Sequence, residues 1–173
     1  MILDLLDLTA IESGQKRREL AAVDARAVAE RAIETARAAA GERGIAIALD
    51  APAAVPMVAD PGELEIILNN LVSNAVKYNR EGGSVTVALS ASDGRVALAV
   101  ADTGIGLAPE EAAQLGGEFV RIKNARTRRI TGSGLGLSIV KKLASLYGGE
   151  LSIASAPDVG STFTVTLQRD GKG

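Results

Sequence analysis

The first thirteen residues, MILDLLDLTAIES, set Ile2, Leu3, Leu5, Leu6, Leu8 and Ile11 so close together that a helix over 1–13 keeps only a narrow polar stripe. A short helix that apolar needs another surface to lie against. Residues 14–20 are polar and read as a hinge. Asp24 is a good N-cap for a helix over 24–40, and Gly41 and Gly44 are stop signals after it. Strands are expected over 45–49 and 55–58, separated by proline-containing turns. A helix runs from Pro61 to Tyr78 and closes at Gly82-Gly83, before an alternating strand over 85–89. Asp93-Gly94 is a hairpin turn into a second strand over 96–100. The irregular stretch 102–133 is too long for an ordinary connection and marks a functional loop. A helix over 135–146, stopped by Gly148-Gly149, and strands over 151–154 and 162–167 complete the chain. Strands arriving in pairs with helices between the pairs predict an α+β two-layer sandwich with a mixed sheet, not a doubly wound parallel one.

Composition narrows the chemistry. At 173 residues there is room for one domain and a short appendage, hence one site. Apolar residues make up 47% of the chain and aromatic ones 2%, so Val, Leu, Ile and Ala must build the core. Stacking platforms for single-stranded nucleic acid are nearly lacking. Acidic residues exceed basic ones by 21 to 19, and a net charge of −2 gives no general pull toward nucleic acid or an anionic membrane. With no cysteine and no histidine, disulfides, thiolate metal sites and imidazole catalysis by this chain are excluded. No apolar run reaches membrane-spanning length.

Four stretches could carry chemistry. On the helix NNLVSNAVKYN, Asn70, Asn74 and Lys77 fall at i, i+4 and i+7 and share a face, while Leu64, Leu68, Leu71, Val72 and Ala75 point into the core. Amide oxygens beside an ammonium suit a hydrated Mg²⁺ with its phosphates, although a solvated helix face would look the same. DTGIGL begins at the end of an apolar strand; Asp102 can accept a hydrogen bond from an exocyclic amine, and Gly104 and Gly106 allow a bend and close approach to a ligand. GSGLGLS places Gly132, Gly134 and Gly136 at alternate positions at a helix start, an arrangement that can cradle phosphate with backbone N–H groups. Between these glycine motifs Arg121, Lys123, Arg126, Arg128 and Arg129 crowd into a loop headed by Phe119. That loop reads either as a lid over a triphosphate or as a solvated basic segment.

Taken in order, these elements resemble the GHKL ATPase and kinase superfamily, and within it the catalytic domain of sensor histidine kinases. NLVSNAVKY matches the N box, DTGIGL the first glycine box, Phe119 the F box, GSGLGLS the second glycine box and GSTF the last. The resemblance implies the Bergerat fold: a two-layer α/β sandwich with a mixed, largely antiparallel sheet covered by helices on one face. It implies ATP and Mg²⁺, with Asn74 on the metal and Asn70, Lys77 and Arg121 in catalytic roles at the metal, phosphates and lid. Tyr78 would line the pocket, Asp102 would take the adenine amine between Gly104 and Gly106, and Thr162 would help at the adenine end. Gly132, Gly134, Leu135 and Gly136 would hold the phosphates. Hydrolases of the superfamily carry a water-activating Glu four positions before the metal asparagine; here that residue is Asn70, which favours transfer to an acceptor over hydrolysis. LLDLTAIESG resembles the end of a dimerisation and phosphoacceptor hairpin, giving an expected division into 1–20, helix end and hinge, and 21–170, ATP-binding domain. The acceptor histidine would then lie outside this sequence, on the hairpin of its own kinase. The resemblance further implies a downstream response regulator, a homodimeric parent with or without a membrane anchor, cytoplasmic location, and no nucleic-acid or membrane contact by this segment. A nucleotide-sensing module without chemistry and a serine kinase of the same superfamily are the alternatives.

Overall fold

A computed structural model describes residues 18–115, 127 and 134–172. The helix expected over 1–13 and most of the hinge lie outside the described residues. Asp24 caps as expected: it ends strand β1 (Ala21–Asp24), and its carboxylate accepts from Arg26 N at 3.0 Å at the start of helix α1 (Ala25–Glu42). The same oxygen accepts from Val55 N at 2.8 Å, so the cap also ties α1 to the segment before the third strand. Strands β2 (Ala46–Asp50) and β3 (Pro56–Ala59) precede helix α2 (Pro61–Lys77). There Pro61 opens the first turn while Asp60 accepts from Gly62 N and Glu63 N at 2.9 and 3.2 Å.

Strands β4 (Ser84–Ser92) and β5 (Arg95–Asp102) form the expected hairpin, turning at Asp93 and Gly94 with φ of 50° and 74°. Two positive φ values match the twist of a tight two-residue connection. Helix α3 (Pro109–Gln114) follows, inside the stretch expected to be irregular throughout. Pro109 opens it, and the Glu111 carboxylate accepts from Ala108 N at 2.9 Å. Helix α4 (Gly136–Leu146) and strands β6 (Glu150–Ala156) and β7 (Gly160–Gln168) complete the described elements.

The five-stranded sheet has the order β2-β4-β5-β7-β6, with β2 parallel to β4 and every other pair antiparallel. Short β1 pairs with β3 apart from it. Along β4, β5 and β7 the residues Val85, Val87, Val96, Leu98, Val100, Phe163, Val165 and Leu167 are buried beneath the helices with Leu64, Leu68, Leu71 and Leu143. The intervening Thr86, Ala99, Ala101 and Thr164 lie on the open face. Burying one such leucine contributes about 1.5–3 kcal/mol, so the alternation itself selects which face the helices cover. The result is the expected α+β two-layer sandwich with a mixed, largely antiparallel sheet and helices on one face. Among the described residues no helix is long and apolar enough to cross a membrane.

One polar cluster is sealed into the helical layer. Glu63, 1% exposed at the start of α2, accepts from Tyr147 Oη at 2.6 Å and from Arg18 Nε at 3.1 Å. The Arg18 guanidinium also stacks 4.4 Å from the centroid of the Tyr147 ring. Asp60 N donates to the same phenol oxygen at 2.9 Å. Burial, and then the hydrogen bond to Glu63, push the Tyr147 phenol up to about 12. A carboxylate this deep is tolerable because the Tyr147 hydroxyl and the Arg18 guanidinium both donate to it.

Candidate functional site

Helix α2 carries Asn70, Asn74 and Lys77 on one face, and all three are half-buried while Leu68, Leu71, Val72 and Ala75 are in the core. Asn70 donates its amide to Ile66 O at 2.8 Å, which leaves its Oδ1 turned away from the helix backbone. A methyl group built on Gly136 would come within 2.5 Å of that oxygen. The glycine-rich start of α4 is therefore seated against Asn70.

The other end of α2 meets the first glycine loop. Tyr78 caps the helix, and its carbonyl accepts from Ile105 N at 3.1 Å. A Cβ on Gly104 would fall 2.3 Å from Tyr78 O and 2.9 Å from Asn79 Cα. The Lys77 ammonium lies 5.5 Å from the centroid of the Tyr78 ring. One helix thus touches both glycine motifs, at Gly104 and at Gly136, which are 32 positions apart in the sequence. Gly106, at φ 61°, passes so close to the end of β6 that a Cβ would lie 1.8 Å from Ala156 O.

Asp102 ends β5 on the helix-covered face, where its register neighbours are Val85 and Ser161. Its Oδ1 accepts from Gly104 N at 2.8 Å, and Ser161 N also donates to the carboxylate. Burial pushes the Asp102 carboxyl above the usual aspartate range, and the two N–H groups pull it part of the way back. A half-buried carboxylate held by backbone donors is a preformed acceptor for an amine.

Thr162 is not brought to this carboxylate. Strand side chains alternate with period two, and Thr162 pairs with Ala101 and Ala154 on the open face of the sheet. Ser161, 8% exposed and on the face of Asp102, occupies the place expected for Thr162. Its hydroxyl lies 2.8 Å from Ser155 Oγ, which accepts from Leu107 N at 2.8 Å. The signal was in the sequence: Phe163, Val165 and Leu167 set the buried parity, and Ser161 shares it.

At the second glycine motif Gly134 has φ 77°, and Leu135, 3% exposed, occupies the N-cap position of α4 without a side-chain cap. The first turn holds no acidic residue. An eleven-residue helix beginning in this way presents backbone N–H groups suited to an anion. Arg121, Gly132, Phe119 and the rest of the basic loop lie outside the described residues. Glu65, the nearest carboxylate in sequence to Asn70, ion-pairs with Arg31 of α1 at 3.9 Å and so faces away from Asn70. Among the described residues no group of three acidic or histidine side chains could hold a metal alone.

Residues 59–171 match the family described as histidine kinase-, DNA gyrase B-, and HSP90-like ATPases. The chain is similar to the sensor-like histidine kinase SenX3 of Mycolicibacterium smegmatis, 35% identical over 167 residues covering 96% of this chain and 44% of that protein. It is similar to the full-length ShkA crystal structure in complex with AMPPNP, at 34% identity and a TM-score of 0.83, covering 95% of this chain and 34% of that one. The mycobacterial sensor histidine kinase MprB superposes with a TM-score of 0.75 at 28% identity, covering 88% of this chain and 99% of that one. The chain spans less than half the length of the curated relatives it matches. A nucleotide-family match over residues 59–171, relatives that are sensor histidine kinases, and a helix seated against two glycine motifs agree: the chain belongs to the histidine kinase-, DNA gyrase B-, and HSP90-like ATPase family.

Proposed function

We propose that this chain is the ATP-binding catalytic unit of a sensor histidine kinase, working in the cytoplasm and passing the γ-phosphoryl group of ATP to a histidine outside these residues. The observation that carries the proposal is that α2 abuts Gly104 through Tyr78 and Gly136 through Asn70. In this reading a carboxylate, an amide-bearing helix face and a helix start without a side-chain cap serve one binding site. Asp102 takes the adenine amine, Ser161 stands beside it, and Gly104 and Gly106 admit the base. Gly132, Gly134, Leu135 and Gly136 receive the phosphates, and Lys77 and Arg121 contribute positive charge.

Asn74, with Asn70 beside it, suits Mg²⁺, because neutral amide oxygens leave room for phosphate oxygens and water among the hard-ion ligands. When bound, the metal neutralises charge on the phosphates. In the transfer, an imidazole nitrogen lone pair forms the new N–P bond, the bond from the γ-phosphorus to the bridging oxygen breaks, and ADP leaves. The acceptor needs no base from this chain, and the position of the hydrolase carboxylate holds Asn70. The acceptor hairpin of the parent kinase, its homodimer and a response regulator are the corresponding partners, and residues 1–20 are the end of that hairpin with its hinge.

Supplied with ATP, Mg²⁺ and a histidine-bearing hairpin, the chain is expected to give an acid-labile phosphorylated product. Nucleotide binding without transfer to any acceptor, an acid-stable phosphoserine, or brisk phosphate release without acceptor would each overturn the proposal.

A further inference from the structure

We infer that Arg43 is a positioning residue for the nucleotide site, acting through the carbonyl groups at the end of α2. The inference rests on the nucleotide reading above. The last turn of any α-helix leaves carbonyls without partners inside the helix, and at the end of α2 these carbonyls accept from the Arg43 guanidinium and from the DTGIG loop. Arg43 Nη1 donates to Val76 O at 2.6 Å and to Lys77 O at 3.2 Å, and Nη2 donates to Asn79 O at 2.7 Å. The carbonyl between them, on Tyr78, accepts from Ile105 N of the DTGIG loop.

Arg43 thus fixes the carbonyls on both sides of Tyr78 and leaves the middle one aimed at the glycine loop. The fork is itself fixed. Arg43 caps α1, its carbonyl accepts from Gly82 N at 2.9 Å, and its Nε donates to Glu81 at 2.8 Å. A planar guanidinium can serve three carbonyls at once, which a lysine ammonium on a flexible stem does poorly. Its charge also complements the negative end of the α2 dipole.

The turn held in this way is the floor on which Asp102 and its loop rest. The space for a Gly104 Cβ is closed by Tyr78 O and Asn79 Cα, two atoms whose position Arg43 controls. If the turn frays, the loop carrying the adenine acceptor loses its support, and displacements of about 1 Å in a binding constellation cost up to about a hundredfold. Arg43 does this without touching a side chain assigned to the nucleotide, since its hydrogen bonds end on the main-chain carbonyls of Val76, Lys77 and Asn79 and on the Glu81 carboxylate.

The test compares R43Q, R43K and E81Q in the intact chain, at a temperature where circular dichroism shows each folded. R43Q is expected to weaken ADP and a non-hydrolysable ATP analogue alike, by about tenfold, because the lost support lies at the base end that both ligands share. R43K should fall between R43Q and wild type. E81Q, which removes an exposed ion-pair partner, should stay within about twofold of wild type. Amide exchange supplies a readout that general weakening would not give. Ile105 N–H should exchange faster in R43Q, while Ile139 N–H, bonded to Leu135 O at 2.9 Å in α4, should not change. Wild-type affinity and wild-type Ile105 protection in R43Q, or equal loss of protection at both amides, would overturn the inference. If R43Q does not fold, R43K carries the same comparison. A wild-type chain that binds neither nucleotide defeats the reading under Proposed function, whereas the Ile105 comparison still decides whether Arg43 holds the loop.

Discussion

Asp102→Asn is expected to remove most of the affinity for adenine nucleotides while leaving the melting temperature equal to or above that of the wild type. The carboxylate is half-buried, ends β5, and already accepts from Gly104 N at 2.8 Å and from Ser161 N. An amine placed against it gains a charge-assisted hydrogen bond, and such a bond contributes about 1.5–3 kcal/mol, or roughly ten- to 150-fold in affinity. An amide in its place can present a donor to a donor.

The stability effect has the opposite sign. Burial raises the folded-state pKa of Asp102, so stability associated with its protonated form is fully present below the unfolded aspartate value and is lost as pH rises through the folded value. At neutral pH the ionised group therefore weakens the fold, and Asn removes that charge. The same sign predicts that nucleotide affinity falls on acidification at a pH above the usual aspartate range, since only the ionised form accepts from the amine. Calorimetric titration across pH, with thermal melts of both proteins, measures both effects. A D102N protein that binds ADP as wild type does would remove Asp102 from the site.

Gly106→Ala is expected to destabilise the fold by about 2–4 kcal/mol and to abolish nucleotide binding. At φ 61° an L-residue with a Cβ is strained, by about 1–2 kcal/mol. The new methyl would also lie 1.8 Å from Ala156 O, a backbone atom at the end of β6 that cannot rotate away. Relief requires the loop to separate from β6, which breaks the bonds from Leu107 N to Ser155 Oγ and from Asp158 N to Ile105 O. Asp102 stands at the root of that loop. Gly41→Ala is the control, because nothing lies within 4 Å of a Cβ there and the position is inside α1. That variant should gain about 0.5–1 kcal/mol. Urea unfolding of both variants, with the nucleotide affinity of G106A, checks the pair; a G106A protein as stable as wild type would contradict the contact at Ala156.

Local signals in the sequence were enough for α1, α2, α4 and the hairpin, but not for the six-residue α3, which falls inside a stretch expected to be irregular. Asp24 and Asp60 are caps whose partners lie two or three residues away, and Asp93-Gly94 turns within its own four residues. Asp158 in the last box has φ 61°, the left-handed geometry that aspartate tolerates. What the sequence concealed depends on distant partners. AAVD becomes β1 only because Val23 faces Met57 of β3, and the parallel pairing of β2 with β4 joins segments separated by a helix. The buried Glu63 resembles any first-turn acid until Tyr147, 84 positions away, is placed on it. Arg43 reaches across 36 positions to Asn79. The convergence of Asn70, Tyr78, Asp102, Gly104 and Gly136 was foreseeable from motif order, whereas Ser161 required the strand parity to be applied at the last glycine box as well as along the core.

The two tyrosines give the molecule an optical reporter. The chain has no tryptophan, so its ultraviolet emission comes from Tyr78 and Tyr147 alone. Tyr147 donates its phenolic proton to the Glu63 carboxylate, with 2.6 Å between the two oxygens, and a phenol bonded to a carboxylate in this way is expected to emit weakly. The remaining light belongs to Tyr78, at the junction of α2 and the glycine loop. With the proposed nucleotide site at that junction, binding of ADP is expected to change the tyrosine emission of the unlabelled protein.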